Sequence, residues 1–99
     1  MKKSKAIFTR SAAELAKALG LSPAEGAEIA LRSALNSKIV AVVRQKRLTH
    51  AQVARLARTS RTRVTAILNR NTADISTDLL LRVLYAIGYS AKISFRRAA

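Results

Sequence analysis

Ninety-nine residues suffice for one small domain with appended segments, and a net charge of +14 suits a surface that meets a polyanion. There is no cysteine, no tryptophan and only four aromatic residues, which excludes disulfides and thiolate metal sites and leaves Leu, Ile, Val and Ala to build a core. Such a core favours a helical bundle over a β-sandwich, and no apolar run approaches the roughly 20 residues of a membrane span, so a cytoplasmic protein without a membrane partner is expected.

Met1–Lys5 is basic, and no long apolar stretch follows it, so it reads as a basic tail and not as a signal peptide. Ala6–Arg10 fits a small edge strand or an extended arm. Ser11-Ala12-Ala13-Glu14 fits a capping box: the hydroxyl accepts from a first-turn amide and the carboxylate reaches back to the cap amide. A helix is predicted over about 12–19, with Leu15 and Leu19 on one face and Gly20 at its end. Ser22-Pro23-Ala24-Glu25 is a second capping box, with proline at the first helical position, where its missing amide costs nothing. From here Leu31, Leu35, Ile39 and Val42/Val43 recur at helical spacing. Glu25 and Glu28 at the start, and Arg44, Lys46 and Arg47 at the end, suit the helix dipole. Asn36-Ser37 could divide this segment; one continuous or slightly bent helix to about Arg47 is the favoured reading.

Thr49-His50-Ala51-Gln52 is a third capping box, with Leu48 and Val53 placed to staple across it. A helix from about His50 to Ala57, a turn at Arg58-Thr59, a cap at Ser60 and a helix from Arg61 to about Arg70 follow. After a polar loop, Ser76 caps a last helix, with Asp78 near its positive end and Ile75 able to staple onto Leu80. Leu80, Val83, Leu84 and Ile87 form its apolar stripe, and Gly88 stops it. Then the period changes: Tyr89, Ala91, Ile93 and Phe95 alternate with Ser90, Lys92, Ser94 and Arg96, the pattern of a half-buried strand. A lone strand is unstable, so it must pair with Ala6–Arg10 or with the same strand of a second subunit, which makes Tyr89, Ile93 and Phe95 candidate dimerisation residues. The expected fold is all-α, a helix-turn-helix bundle of four to five helices with a short C-terminal β-strand. Its parts are a basic arm (1–10), a helical segment (11–35), the helix-turn-helix domain (36–88) and the strand with its basic tail (89–99).

Two short helices joined by a tight turn, between Leu48 and Asn69, lie inside a stretch from Ile29 to Ala73 that has no Asp or Glu. That stretch carries Arg32, Lys38, Arg44, Lys46, Arg47, Arg55, Arg58, Arg61, Arg63 and Arg70. A helix-turn-helix in an acid-free, arginine-rich setting points to a DNA backbone as partner. Leu48, Thr49, Val53 and Ala54 in the first helix, and Ser60, Val64 and Ile67 in the second, resemble the Cro/repressor-type (XRE-like) helix-turn-helix family. The likeness covers roughly Ser37 to Ile87. The long preceding helix, the segment 76–88 and the basic C-terminal strand resemble, more loosely, HigA-like antitoxins and related regulators. Three positions depart from the family pattern: Arg58 stands at the turn glycine, and His50 and Arg61 replace the two glutamines that open the helices. Glutamine reads adenine and arginine prefers guanine, so no base preference carries over.

Val53, Ala54, Val64, Ile67 and Leu68 are expected in the core. The N-terminal residues of the second helix of such a motif enter the major groove, so Arg61, Thr62, Arg63, Thr65 and Asn69 are the candidates for base edges. The plainer alternative is that Arg61 and Arg63 touch only phosphate, where most protein–DNA hydrogen bonds go. Thr49, His50, Ser60, Arg58, Arg44, Lys46, Arg47 and Arg70 are the phosphate candidates; Thr49 and His50 sit at a positive helix end. One histidine and no cysteine give a metal nothing to bind, and no cofactor is expected. Glu14, Glu25, Glu28, Asp74 and Asp78 are mostly explained as helix-start residues, and no nucleophile has a base beside it, so an enzyme is not expected. The expected function is a sequence-specific regulator that binds double-stranded DNA as a homodimer and represses its own promoter. The antitoxin resemblance implies a second partner, a small ribonuclease toxin. The competing readings are a stand-alone regulator and a non-specific basic nucleic-acid-binding protein.

Overall fold

The computed structural model describes residues 17–97, in two units that divide between Ala34 and Leu35. The basic tail, the Ala6–Arg10 segment, the Ser11 capping box and Leu15 lie outside the described residues. In the first unit Gly20 closes a turn with φ +75°, and its N–H donates to the Lys17 carbonyl at 3.1 Å. The Ser22 hydroxyl accepts from the Glu25 amide at 3.1 Å, and helix α1 (Pro23–Lys46) starts at the proline. The helix passes through Asn36-Ser37 without a break and continues into the second unit. Leu19, expected on the face of the helix before α1, is exposed; Leu31 is exposed too, so the expected apolar stripe of α1 is core only from Leu35 onward.

The second unit packs the Leu35–Lys46 part of α1 with α2 (His50–Ala57), α3 (Arg61–Leu68) and α4 (Thr77–Ala86). Each short helix is started by a hydroxyl cap that satisfies a first-turn amide, a contribution of about 1 kcal/mol apiece. Thr49 and Gln52 form a reciprocal box: Thr49 Oγ1 accepts from the Gln52 amide at 3.1 Å, and Gln52 Oε1 accepts from the Thr49 amide at 2.8 Å. Ser60 Oγ accepts from the Arg63 amide at 3.1 Å and Ser76 Oγ from the Leu79 amide at 3.2 Å. The core is aliphatic throughout, with Ile39, Val53, Ile67, Leu80 and Val83 wholly buried. Ile75 and Leu79 join it from the start of α4.

The four helices end alike. In each, an amide two or three residues past the last helical residue donates to a carbonyl five residues back: Leu48 to Val43 at 3.0 Å, Thr59 to Ala54 at 3.0 Å, Asn71 to Ala66 at 2.8 Å and Tyr89 to Leu84 at 3.1 Å. This closure requires a left-handed residue just before the donor. Gly88 fills that place after α4, at φ +101°, where a Cβ would stand 3.0 Å from Lys46 Nζ. After α1, α2 and α3 the place is held by Arg47, Arg58 and Arg70, at φ +53°, +54° and +59°. The turn at Arg70 also explains why α3 stops at Leu68 and not at Arg70 as the sequence suggests.

The expected C-terminal strand does not form: residues 90–97 have no regular structure and are exposed, Ile93 and Phe95 included. A strand needs a neighbouring edge to bond its backbone, and the described residues offer none. Tyr89 is the exception in this segment: it packs against the core, with Lys38 Nζ 4.8 Å and Lys46 Nζ 5.5 Å from its ring centroid.

Candidate nucleic-acid interface

Burial of Val64 and Ile67 fixes the orientation of α3 about its axis. Residues 61, 62 and 63 are thereby left outside, and Arg61, Thr62 and Arg63 form an exposed N-terminal end on the helix. Thr65, one turn on from Arg61, is half-buried, because His50 from the start of α2 reaches it: His50 Nδ1 and Thr65 Oγ1 lie 2.8 Å apart. This contact joins the first residue of α2 to the face of α3 that carries the candidate base-reading side chains.

The end of α1, the start of α2 and the end of α3 enclose an open recess of about 420 Å³. Its floor is Val40, Val43, Leu48 and Leu68; its polar rim is Arg44, Arg47, His50 and Asn69. Three of the phosphate candidates therefore stand together. Asn69, assigned by sequence to base edges, stands with them, eight residues and about 12 Å along the helix from Arg61. The lining carries two arginines and a histidine and no carboxylate. The N-terminal end of α2 adds its partial positive charge.

The remaining candidates are distributed as follows. Thr49 and Ser60 spend an oxygen lone pair on their caps and keep an O–H to donate outward. Arg58 is exposed in the turn between α2 and α3. Arg70 Nη1 donates to Ser37 Oγ at 3.0 Å, which holds the guanidinium against α1 with its other donors open. Lys46 does not join the group. Its Nζ donates to the Ile87 carbonyl at 2.7 Å, capping α4, and lies by the Tyr89 ring, so its partners belong to the fold. Tyr89 likewise packs against the core of its own chain, while Ile93 and Phe95 are exposed.

The sequence reading missed the clamp on the far end of α3. Asn36, buried in α1, donates through Nδ2 to the Ile67 carbonyl at 2.8 Å, and Ser37 next to it holds Arg70. The pair that looked like a helix break is what ties α1 to α3. The available signal was position: Asn36 lies beside Leu35 and at helical spacing from Ile39 and Val40 on the buried stripe. In the turn itself, Thr59 Oγ1 is buried without a hydrogen-bond partner, the one such side-chain atom among the described residues.

The arrangement is that of two capped helices across a tight turn, the second presenting basic and hydroxyl side chains from its first turn. The chain belongs to a helix-turn-helix domain family, whose model matches residues 10–96. Such a domain points to a DNA-binding regulator. Searches of curated proteins and of solved structures found no match. No described helix is long and apolar enough to cross a membrane.

Proposed function

We propose that this protein is a sequence-specific DNA-binding regulator that represses its own promoter, acting by binding and not by catalysis. The observation that carries the reading is the exposed Arg61-Thr62-Arg63 end of α3, set by buried Val64 and Ile67 and flanked by the recess of Arg44, Arg47 and His50. In this reading α3 enters the major groove, its first turn and Thr65 meet base edges, and the recess and the α2 N-terminus grip phosphates and fix register. The exposed Ile93 and Phe95, in a segment patterned as a strand, support a homodimer in which two copies pair their tails. Two recognition helices about 34 Å apart then read an inverted repeat.

The test is fluorescence anisotropy at about 150 mM salt, comparing a duplex from upstream of this gene with a scrambled one. The upstream duplex is expected to bind on the order of 10³-fold tighter. Equal, purely salt-dependent binding of both would make the protein a non-specific polyanion binder. The likeness to HigA-like antitoxins supports a further partner, a small ribonuclease toxin encoded alongside. Co-purification of the adjacent gene product tests that role, and its absence leaves a stand-alone regulator.

A further inference from the structure

Thr65 carries one hydroxyl proton and two lone pairs, and His50 decides which of them the DNA can use. At 2.8 Å the two side chains share a hydrogen bond, but either can be its donor. A neutral imidazole has one N–H and one bare nitrogen. If Nδ1 is bare, the Thr65 hydroxyl must donate to it, and only lone pairs of Oγ1 remain for a base. If Nδ1 carries the proton, it donates to Oγ1, and the hydroxyl proton is free to turn elsewhere, including back to the carbonyl one turn earlier in α3.

The surroundings select between these states. Nδ1 is taken by Thr65, so Nε2 is the polar atom of the ring left for a ligand. The ring lines the recess whose other polar groups are Arg44 and Arg47 from α1 and Asn69 beyond α3. Arg61 stands one turn before Thr65, and no carboxylate lies in the sequence from Ile29 to Ala73. A phosphate drawn there can only accept hydrogen bonds. In a neutral ring that contact requires the proton on Nε2, which leaves Nδ1 bare and turns Thr65 into a donor to His50.

We propose that His50 is a positioning residue that couples a phosphate contact to base readout. A phosphate on Nε2 fixes the imidazole tautomer, and the tautomer leaves Thr65 Oγ1 facing the groove as an acceptor. Thr65 then reads a base edge that carries an exocyclic amine, adenine N6 or cytosine N4, and discriminates against guanine O6 and thymine O4. This inference rests on the DNA-reading function proposed above and adds to it the chemistry of one base position.

The test uses the full chain at pH 8. Bound duplexes are selected from a randomised pool for the wild type, Thr65→Val and His50→Ala, and the imidazole is observed by ¹⁵N NMR in the wild-type complex. Because His50 is the only histidine, its two nitrogen signals need no assignment by mutation. The expected result is a preference of about tenfold for adenine or cytosine at one position, lost in both variants at that same position, with an Nε2–H signature in the complex. A His50→Ala profile that keeps the preference and loses affinity uniformly overturns the inference, making His50 a phosphate ligand only. So does an Nδ1–H signature, or a preference for guanine or thymine at the position that Thr65→Val disturbs. A wild type with no preference at any position removes the DNA-reading function itself and this inference with it, an outcome distinct from the others.

Discussion

The segment Thr49–Asn69 and the segment Ser90–Arg97 carry equally clear sequence patterns, yet only the first becomes a regular structure. In the first, each local signal finds its partner a few residues away. Thr49 caps with Gln52, Ser60 caps the helix of Arg63, and Thr59 closes the end of α2 on Ala54. In the second, Ile93 and Phe95 alternate with polar residues as a strand should, and both stand exposed on irregular backbone. A helix satisfies its own amides and carbonyls, whereas a strand must be completed by another chain segment. The contrast separates backbone that is completed locally from backbone that finds no neighbouring edge among the described residues.

The sharpest way to break this contrast is to remove the long-range packing on which the first segment also relies. An eight-residue helix is too short to be stable alone in water, so its caps do not suffice. Ile67 is wholly buried where α3 meets the core. Ile67→Ala is expected to destabilise the fold by about 2–5 kcal/mol, measured by urea or thermal unfolding. A loss under 1 kcal/mol would mean that α3 is held by its local signals and not by its packing.

A smaller effect is expected at the clamp. Asn36→Ala removes the donor to the Ile67 carbonyl and leaves space in the core, with a cost of roughly 1–3 kcal/mol. The carbonyl keeps one partner, the Arg70 amide at 3.0 Å, which places the loss below that of Ile67→Ala. DNA binding is expected to weaken as well when both variants are compared as folded protein, because the far end of the recognition helix is released. If binding is unchanged at equal folded fraction, the clamp serves stability alone.

The same contrast explains what was legible in the sequence. Every helix start among the described residues was marked by a hydroxyl at the cap, and the buried stripes of α2, α3 and α4 were readable from spacing. The interface candidates Arg61, Thr62, Arg63, Thr49 and Arg58 fell on the surface for the same reason. What stayed hidden is long-range. Nothing local says that Asn36 will meet Ile67, that His50 will meet Thr65, or that Lys46 will leave the basic group to cap α4. The end of α3 was misjudged by two residues because an arginine, and not a glycine, takes the left-handed position.

The turn offers two substitutions that should raise stability, each by about 1 kcal/mol or less. Left-handed backbone is unfavourable for Arg58, and glycine relieves it while losing chain entropy, for a net gain of about 0.5 kcal/mol. If Arg58 contacts a phosphate, Arg58→Gly should also lower the salt slope of DNA binding by about one. Thr59→Val removes a buried hydroxyl that has no partner and is expected to gain roughly 1 kcal/mol. An unchanged salt slope for Arg58→Gly would place that side chain away from the DNA. A destabilised Thr59→Val would mean that the hydroxyl has a partner in solution.

The smallest expected effect, and the one that tests the other half of the contrast, comes from truncation after Tyr89. Tyr89 stays because its ring packs on the core beneath Lys38 and Lys46, whereas Ser90–Arg97 is exposed along its whole length. Removing an exposed segment should change unfolding at high dilution by less than about 0.5 kcal/mol. At micromolar concentration the outcome should differ. If the tails of two copies pair, the full chain gains stability with concentration and sediments as a dimer, while the truncated chain does neither. A truncated protein that still dimerises would move the interface elsewhere. Exposed Leu81 and Tyr85 on α4 would then be the next residues to change.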